Sequence, residues 1–155
     1  MNDSKAHFPI GLEIYETSRS LRRHFDRRAR SLGFTQGQWR ALLKLDYSPG
    51  SSQAALAELL DMQPISLARI LDRMVAGGLV ERRPDPADRR AVKLYLTPQA
   101  GPVLTVLRDI AADVRATATR GISQAEQDQL IATLRKMRAN IDELDEGSSQ
   151  NVSQG

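Results

Sequence analysis

The spacing of apolar residues along the chain predicts six helices and one β-hairpin. The first helix spans residues 10–32, and its apolar positions are Ile14, Leu21, Phe25 and Leu32. Thr35 and Gln38 fit a T-x-x-Q capping box, in which each side chain accepts a hydrogen bond from the other residue's backbone N–H. A second helix is therefore predicted to begin there, and its apolar side consists of Trp39, Leu42 and Leu43.

The third and fourth predicted helices are separated by a short turn, which is typical of a helix-turn-helix. Ser51 or Ser52 caps the third helix, whose predicted apolar stripe is Leu56, Leu59 and Leu60. Pro64 suits the first position of the fourth helix, because the N–H that proline lacks would have no partner there. Gly77-Gly78 ends this helix, whose predicted inward residues are Ile70, Leu71, Met74 and Val75.

The apolar period then changes from that of a helix to that of a strand. The strand is marked by the alternating apolar residues Val92, Leu94 and Leu96. Leu79–Arg83 is its predicted partner. The loop between them, residues 84–90, is too long for a two-residue turn, so its tip is expected to protrude.

Two longer helices complete the predicted pattern. Thr97-Pro98 starts a fifth helix that runs to Arg120, and Pro102 is expected to make its beginning irregular. Ser123 and Glu126 form another capping box, which opens the sixth helix. The sixth helix carries a coiled-coil-like seam of Leu130, Leu134, Met137, Ile141 and Leu144.

The composition excludes several classes of function, mainly because residues and motifs that those functions need are missing. The 155 residues include no cysteine and two histidines, so we expect no disulfide, no thiol chemistry and no metal site. No stretch matches the H-E-x-x-H, G-x-S-x-G or phosphate-loop motifs of enzymes. The sequence therefore predicts a protein that is not an enzyme and uses no cofactor. A net charge of +3 fits a polyanionic partner, although many solvated surfaces carry a similar excess.

The chain also lacks the apolar runs that membranes require. No run approaches about eighteen apolar residues, and the N-terminus MNDSKAHFPI has no signal-peptide core. We expect no membrane contact and a cytoplasmic location.

The segment QPISLARILDRMVAGGLVERRPDPADRRAVKLYLT resembles the MarR family of bacterial transcription regulators, and most nearly its SlyA-like branch. The resemblance rests on a recognition helix followed by Gly-Leu-Val and on a D-x-x-D-R-R wing that ends in L-x-L-T. It covers about residues 10–144. It implies a mainly α fold with a small β-hairpin, in which a winged helix-turn-helix DNA-binding lobe is joined to N- and C-terminal dimerisation helices.

The expected domain organisation follows from this resemblance and from the pattern of the chain. Residues 1–9 are predicted to be a flexible N-terminus, residues 10–146 a single domain and residues 147–155 a disordered tail. Within the domain, the predicted DNA-binding lobe is about residues 35–97, and the predicted dimerisation helices are about 10–32 and 98–146.

The resemblance implies partners as well. Members of the family are homodimers that bind double-stranded DNA, and two recognition helices in successive major grooves read a pseudo-palindromic operator. Most members repress transcription, and a small molecule, often an aromatic carboxylate, releases the DNA. The alternative is a winged-helix protein-interaction module without DNA binding, which the paired arginines at the wing tip argue against.

Candidate DNA contacts lie on the fourth helix, in the wing and at two helix N-termini. Arginine binds guanine through two hydrogen bonds or enters a narrow minor groove, and helix N-termini attract phosphate. The predicted set is Gln53, Gln63, Pro64, Ser66, Leu67, Arg69, Arg73, Arg83, Asp88, Arg89 and Arg90. Leu67 is expected to touch thymine methyl groups. The resemblance implies that Asp88 orients Arg90 through a charge-assisted pair.

These assignments have plainer alternatives. The wing cluster could be solvated surface with a weak ion pair. Arg69 and Arg73 could be hydrated or paired with Asp61 or Asp72. Gln53 could simply cap its helix.

A ligand site near Trp39 is the remaining expectation from the resemblance. The predicted residues are Ile14, Arg19, Arg22, Phe25, Trp39 and Met62. Arg19 or Arg22 would meet a carboxylate. The alternative is that Trp39 is an ordinary core residue and that the arginines of the first helix form a solvated face.

Overall fold

The described part of the chain contains six helices and three short strands. The structure is a computed structural model that describes the backbone of residues 9–151 and the side chains of residues 9–143. The helices are α1 (Ile10–Ser31), α2 (Gln36–Tyr47), α3 (Gln53–Leu59), α4 (Pro64–Ala76), α5 (Ala100–Ala118) and α6 (Gln124–Asn151). The strands are β1 (Ser51–Ser52), β2 (Val80–Pro84) and β3 (Val92–Leu96). One compact unit extends to Arg115, and a second begins at Ala116.

Side-chain caps fix the starts of several helices, as predicted. Thr35 Oγ1 accepts a hydrogen bond from the Gln38 N–H at 3.3 Å, and Gln38 Oε1 accepts one from the Thr35 N–H at 3.0 Å. Ser123 and Glu126 form the same reciprocal pair before α6. Hydrogen bonds from the Ser123 hydroxyl and N–H lower the pKa of the Glu126 carboxyl, because they favour its ionised form. Ser52 caps α3 through a 3.1 Å bond from the Ala55 N–H.

The predicted helix-turn-helix is formed by α3 and α4. The turn between them bends at Asp61, whose φ of +49° is a left-handed conformation that aspartate tolerates. At the end of α4, Gly78 has a φ of +73°, and the Leu79 N–H donates to the Met74 carbonyl at 2.9 Å. This arrangement satisfies the last free carbonyls of α4 and turns the chain directly into β2.

The β-structure is a three-stranded antiparallel sheet in the order β1-β3-β2. The predicted hairpin is present and pairs Val80 with Leu96 and Pro84 with Val92. The strand β1 was not predicted, because two serines carry no periodic signal. It pairs with β3 and thereby joins the hairpin to the start of α3.

The core lies where α2, α3, α4, α5 and the sheet meet. Its largest fully buried side chains are Leu42, Leu45, Leu56, Leu67, Leu71, Met74, Val80, Leu94 and Leu107. The predicted stripe of α3 is wrong at Leu59, which is 53% exposed, whereas Ala57 is buried in its place. The reason is the short length of α3, since only one narrow side of its two turns reaches the core.

Helix α5 differs from the prediction at its beginning. Its first residue is Ala100, and Pro102 lies within the first turn without breaking it. The first N–H groups of a helix have no partner inside it, so proline at this position removes no helical hydrogen bond. Thr97 does not cap α5. Its hydroxyl donates instead to the Gly78 carbonyl.

Helix α6 is longer than predicted. It extends to Asn151, whereas residues 147–155 were predicted to be disordered. Adding a residue to an existing helix costs little compared with starting one, so a polar segment can continue a long helix. Residues 1–8 and 152–155, and the Leu144 side chain of the predicted seam, lie outside the described part of the chain.

Candidate nucleic-acid interface

Helix α4 has a buried side and an exposed side, and the exposed side holds most of the predicted contact residues. Successive residues of a helix are turned by about 100°. Leu67, Leu71 and Met74 are buried on one side. Ile65, Ser66, Arg69 and Arg73 are exposed away from the core, and we call these four residues the outer face of α4.

The two arginines of the outer face are not neutralised by nearby carboxylates. Asp72 lies beside them in sequence, but its Oδ1 is 2.7 Å from Nη2 of Arg82 on β2. Within residues 9–143, Arg69 and Arg73 have no side-chain hydrogen bond or ion pair. The structure therefore does not contain the alternative pairing with Asp61 or Asp72. The Asp72–Arg82 pair instead connects α4 to the wing.

Leu67 was predicted to touch DNA, and this prediction is wrong. Its side chain is fully buried. Leu67 lies four residues before Leu71 and seven before Met74, so the helical period places it in the same apolar stripe. A side chain that packs the core has no surface left for a base.

Two aspartates organise the wing loop between β2 and β3. Asp85 Oδ1 accepts a 2.9 Å hydrogen bond from the Ala87 N–H, and Asp88 Oδ1 accepts one from the Arg90 N–H at 3.0 Å. Both are local turns in which aspartate bonds to the backbone two residues later. The Ala87 N–H and the nearby Lys93 ammonium lower the pKa of the Asp85 carboxyl.

The predicted pair between Asp88 and the Arg90 guanidinium is replaced by this backbone contact. A short carboxylate reaches the N–H two residues later more readily than it reaches the end of a long side chain. Arg89 and Arg90 are both exposed, and neither guanidinium has an ion-pair partner in the described part of the chain. Asp88 thus shapes the backbone at the tip and leaves both cations available.

Arg83 lies on the opposite side of β2 from Arg82. It pairs with Glu81, and its guanidinium carbon is 4.5 Å from the centre of the Tyr95 ring. Its charge is therefore partly engaged by the sheet, unlike that of Arg90.

The remaining predicted DNA contacts lie at the starts of α3 and α4. Gln53 is the first residue of α3 and is half-buried, but the capping group is Ser52. Gln63 and Pro64 are exposed at the start of α4, and the Gln63 side chain makes no capping hydrogen bond. The Gln63 side-chain amide therefore does not cap α4.

Trp39 and Phe25, predicted to line a ligand pocket, are core residues. Their ring centres are 4.2 Å apart, and Trp39 is 8% exposed. The Trp39 indole N–H donates to Asp26 Oδ1 at 3.3 Å, and Asp26 Oδ2 accepts from Arg30 at 2.8 Å. Burial of both rings matches the plainer interpretation of Trp39 as a core residue.

An open cavity of about 300 Å³ lies nearby and includes two of the other predicted ligand residues. Its lining residues are Tyr15, Arg19, Arg22, Arg23, Asp26 and Gln36. Burial and the charge of Arg22 lower the pKa of Arg40, which donates to the Leu60 carbonyl. Ile14 is exposed and Met62 is half-buried, and neither contributes to this lining.

Three residues of this region were missed by the sequence interpretation. Ile65 is 67% exposed on the outer face, and a helical projection would have placed it opposite Leu67. The two Asp-containing turns give Asp85 its structural role, which the D-P-A-D segment could have indicated. Arg82 was not singled out, because its pairing with Asp72 depends on the fold, which brings β2 next to α4.

Two kinds of site are not found in the described residues. No helix there is both long and apolar enough to span a bilayer. No group of three or more potential metal-ligating His, Asp or Glu side chains occurs there either.

Known proteins share both the sequence pattern and the fold. A sequence model of the MarR family matches residues 34–92. The crystal structure of transcriptional regulator PA3341 is 34% identical with a TM-score of 0.80, and the match covers 87% of this chain and 99% of that one. The transcriptional regulator SlyA is 27% identical with a TM-score of 0.71, over 86% of this chain and 94% of its own. Wild-type MarR from E. coli is 25% identical with a TM-score of 0.69, over 83% of this chain and 96% of its own. Because identity and coverage are both high for PA3341, and the family pattern covers the helix-turn-helix and the start of the wing, this chain belongs to the MarR family of transcriptional regulators.

Proposed function

We propose that this chain is a dimeric, sequence-specific repressor that a small molecule releases from DNA. The observation that carries the proposal is the outer face of α4, where Arg69 and Arg73 extend without carboxylate partners among the described residues. The family is one of DNA-binding transcription regulators and not of enzymes. The proposal adds the dimer, the operator, the direction of regulation and the effector.

In this proposal α4 enters the major groove and the wing reaches the minor groove. Arg69 and Ser66 contact base edges, and Arg73 contacts base edges or phosphate. The exposed Arg89 and Arg90 approach the minor groove. Asp88 supports them through the Arg90 backbone, and Arg83 follows the sugar-phosphate backbone. Phosphate contacts are assigned to Gln53, Gln63 and Pro64.

The dimer is supported by apolar side chains that each helix leaves exposed. On α1 these are Ile10, Leu12, Ile14, Tyr15 and Leu21. On α6 they are Leu130, Ile131 and Ile141. Exposed apolar residues at helical spacing favour a protein interface. We assign them to contact with a second copy of the chain, and expect twice the chain mass of 17.2 kDa in sedimentation equilibrium.

The effector proposal rests on the arginine-lined cavity beside α1. Arg22, which has no carboxylate partner among the described residues, supplies donors for a carboxylate, and Arg19 does so by giving up its contact with Glu16. Tyr15 supplies an aromatic surface. Trp39 is the sole tryptophan of the sequence and hydrogen-bonds to Asp26 of this lining, so its fluorescence reports on the site. We expect benzoate to change this fluorescence and to lower the affinity for DNA.

Selection from a random duplex library tests the central part of the proposal. The purified chain is expected to enrich a pseudo-palindrome whose half-sites are separated by about one helical turn, roughly 34–36 Å. The Arg69→Ala/Arg90→Ala double variant, which keeps the core intact, is expected to lose this enrichment. A wild-type chain that enriches no sequence would contradict the proposal and favour a protein-interaction module.

A further inference from the structure

We infer that Ile65 contributes to sequence preference by packing against the C5-methyl group of a thymine in the major groove. This inference rests on the proposed function, since it assigns a ligand to one residue of the outer face of α4. Ile65 is 67% exposed, whereas Leu67, Leu71 and Met74 of the same helix are buried. An isoleucine in this position has no role in the core of the chain.

The position of Ile65 relative to the arginines identifies what it faces. Arg69 follows it by four residues and Arg73 by eight, so the three side chains lie along one face of the helix. Four residues correspond to about 6 Å along the helix axis, close to the spacing of two base pairs. Any surface that Arg69 reaches therefore also lies opposite Ile65.

Ile65 also lies at the end of α4 where a short side chain reaches farthest into a groove. It is the second residue of the helix, after Pro64. In a helix-turn-helix, the N-terminal residues of the recognition helix approach the base edges. Arg69 and Arg73 can reach from farther along the helix because their side chains are long, whereas isoleucine needs this closer approach.

The chemistry of the outer face favours DNA over a protein partner. An apolar protein surface covering Ile65 would also remove water from Arg69 and Arg73, which have no carboxylate partners within the described residues. A major groove supplies hydrogen-bond acceptors for both arginines. It also presents one apolar group, the thymine methyl. Ile65 has neither a donor nor a charge, so that methyl group is the base feature it can recognise.

Replacing thymine with deoxyuridine tests this contact on the DNA side. Deoxyuridine keeps every hydrogen-bonding group of thymine and lacks only the methyl. Each thymine of the selected operator is replaced in turn, and the Kd is measured by fluorescence anisotropy at fixed salt. At one thymine in each half-site, we expect the wild-type Kd to rise about fourfold per methyl removed, which is the contribution of one buried methyl-sized group.

Matched protein variants assign the effect to Ile65. Ile65→Ala is expected to bind the thymine and uracil operators equally at that position, while Ile65→Val keeps part of the difference. Arg69→Ala is the control, and it is expected to weaken both complexes while preserving their ratio. Unchanged wild-type binding at every uracil position, or an undiminished ratio in Ile65→Ala, would overturn the inference.

The outcomes separate this inference from the proposed function. A chain that selects an operator but ignores thymine methyls refutes the role of Ile65 alone. A chain that selects no DNA refutes both. Loss of self-association in Ile65→Ala, measured by sedimentation, would show that a second copy covers this residue and would likewise overturn the inference.

Discussion

Helices α1 and α4 both expose arginines, but the guanidinium groups differ in what they contact. On α1, Arg28 lies 2.7 Å from Asp113, Arg30 lies 2.8 Å from Asp26, and Arg19 lies 3.4 Å from Glu16. On α4, Arg69 and Arg73 have no such partner in the described part of the chain. The one acidic residue of α4, Asp72, is held by Arg82 of the wing.

The difference shows why arginine content alone does not locate an anion-binding surface. A paired arginine must give up its carboxylate before it binds a new anion, which for an exposed pair such as Arg19–Glu16 offsets up to about 1 kcal/mol. An unpaired arginine exchanges only water. By this criterion the outer face of α4 and the wing tip are better candidates than Arg19, Arg28 and Arg30 of α1. Arg23 and Arg27 of α1 are also exposed without a carboxylate partner among the described residues, so pairing alone does not separate them from α4.

The largest expected effect tests whether α4 really divides into a structural side and a binding side. Leu67→Ala should lower the free energy of unfolding by about 2–5 kcal/mol, because it removes a fully buried side chain from the core. Ile65→Ala, two residues away and exposed, should change it by about 0.5 kcal/mol or less. Urea denaturation of both variants measures the difference. Similar losses for the two would mean that α4 has no separate binding side.

A smaller effect tests the contrast between unpaired and paired arginines directly. Arg69→Ala should weaken binding to the selected operator by about 1–3 kcal/mol and relax the preference at one base. Arg30→Ala is the matched variant on α1, since its guanidinium is already bound to Asp26, and it should leave the operator Kd almost unchanged. Anisotropy titrations at one salt concentration compare them. Equal losses would remove pairing as the distinguishing property.

Local chemistry explains which parts of the fold the sequence predicted. The caps at Thr35 and Ser123 and the left-handed Gly78 depend on residues only a few positions apart, so the sequence displays them directly. The helix-turn-helix and the wing follow from these signals and from the change of apolar period. Leu67 could also have been placed correctly, because its spacing to Leu71 follows the same period.

Contacts between distant segments explain what the sequence did not predict. Arg82 meets Asp72 and Arg28 meets Asp113 only because the chain folds back on itself. Before that folding is known, Arg82 cannot be told apart from Arg69 or Arg73, whereas pairs within one helix, such as Arg30 with Asp26, follow from their spacing. The strand β1 depends in the same way on β3, since two serines form a strand only when a neighbour offers free backbone groups.

The smallest expected effect concerns how the wing keeps its arginines available. The pKa of Asp85 is lowered in the folded chain, so ionisation of this carboxyl stabilises the loop at any pH above the ordinary pKa of about 3.9. This stabilisation is lost as the pH falls through the lower pKa of the folded chain. The Ala87 amide resonance, whose N–H donates to Asp85, should therefore titrate below about pH 4.

In Asp85→Asn the amide oxygen can still accept that bond but carries no charge and forms no ion pair with Lys93. In this variant the Ala87 resonance should no longer titrate. Operator binding near neutral pH should fall slightly, because the loop that presents Arg89 and Arg90 is less firmly held. If the Ala87 resonance of Asp85→Asn still titrates as in the wild type, another group controls the loop, and the unpaired arginines of the tip owe their arrangement to something other than Asp85.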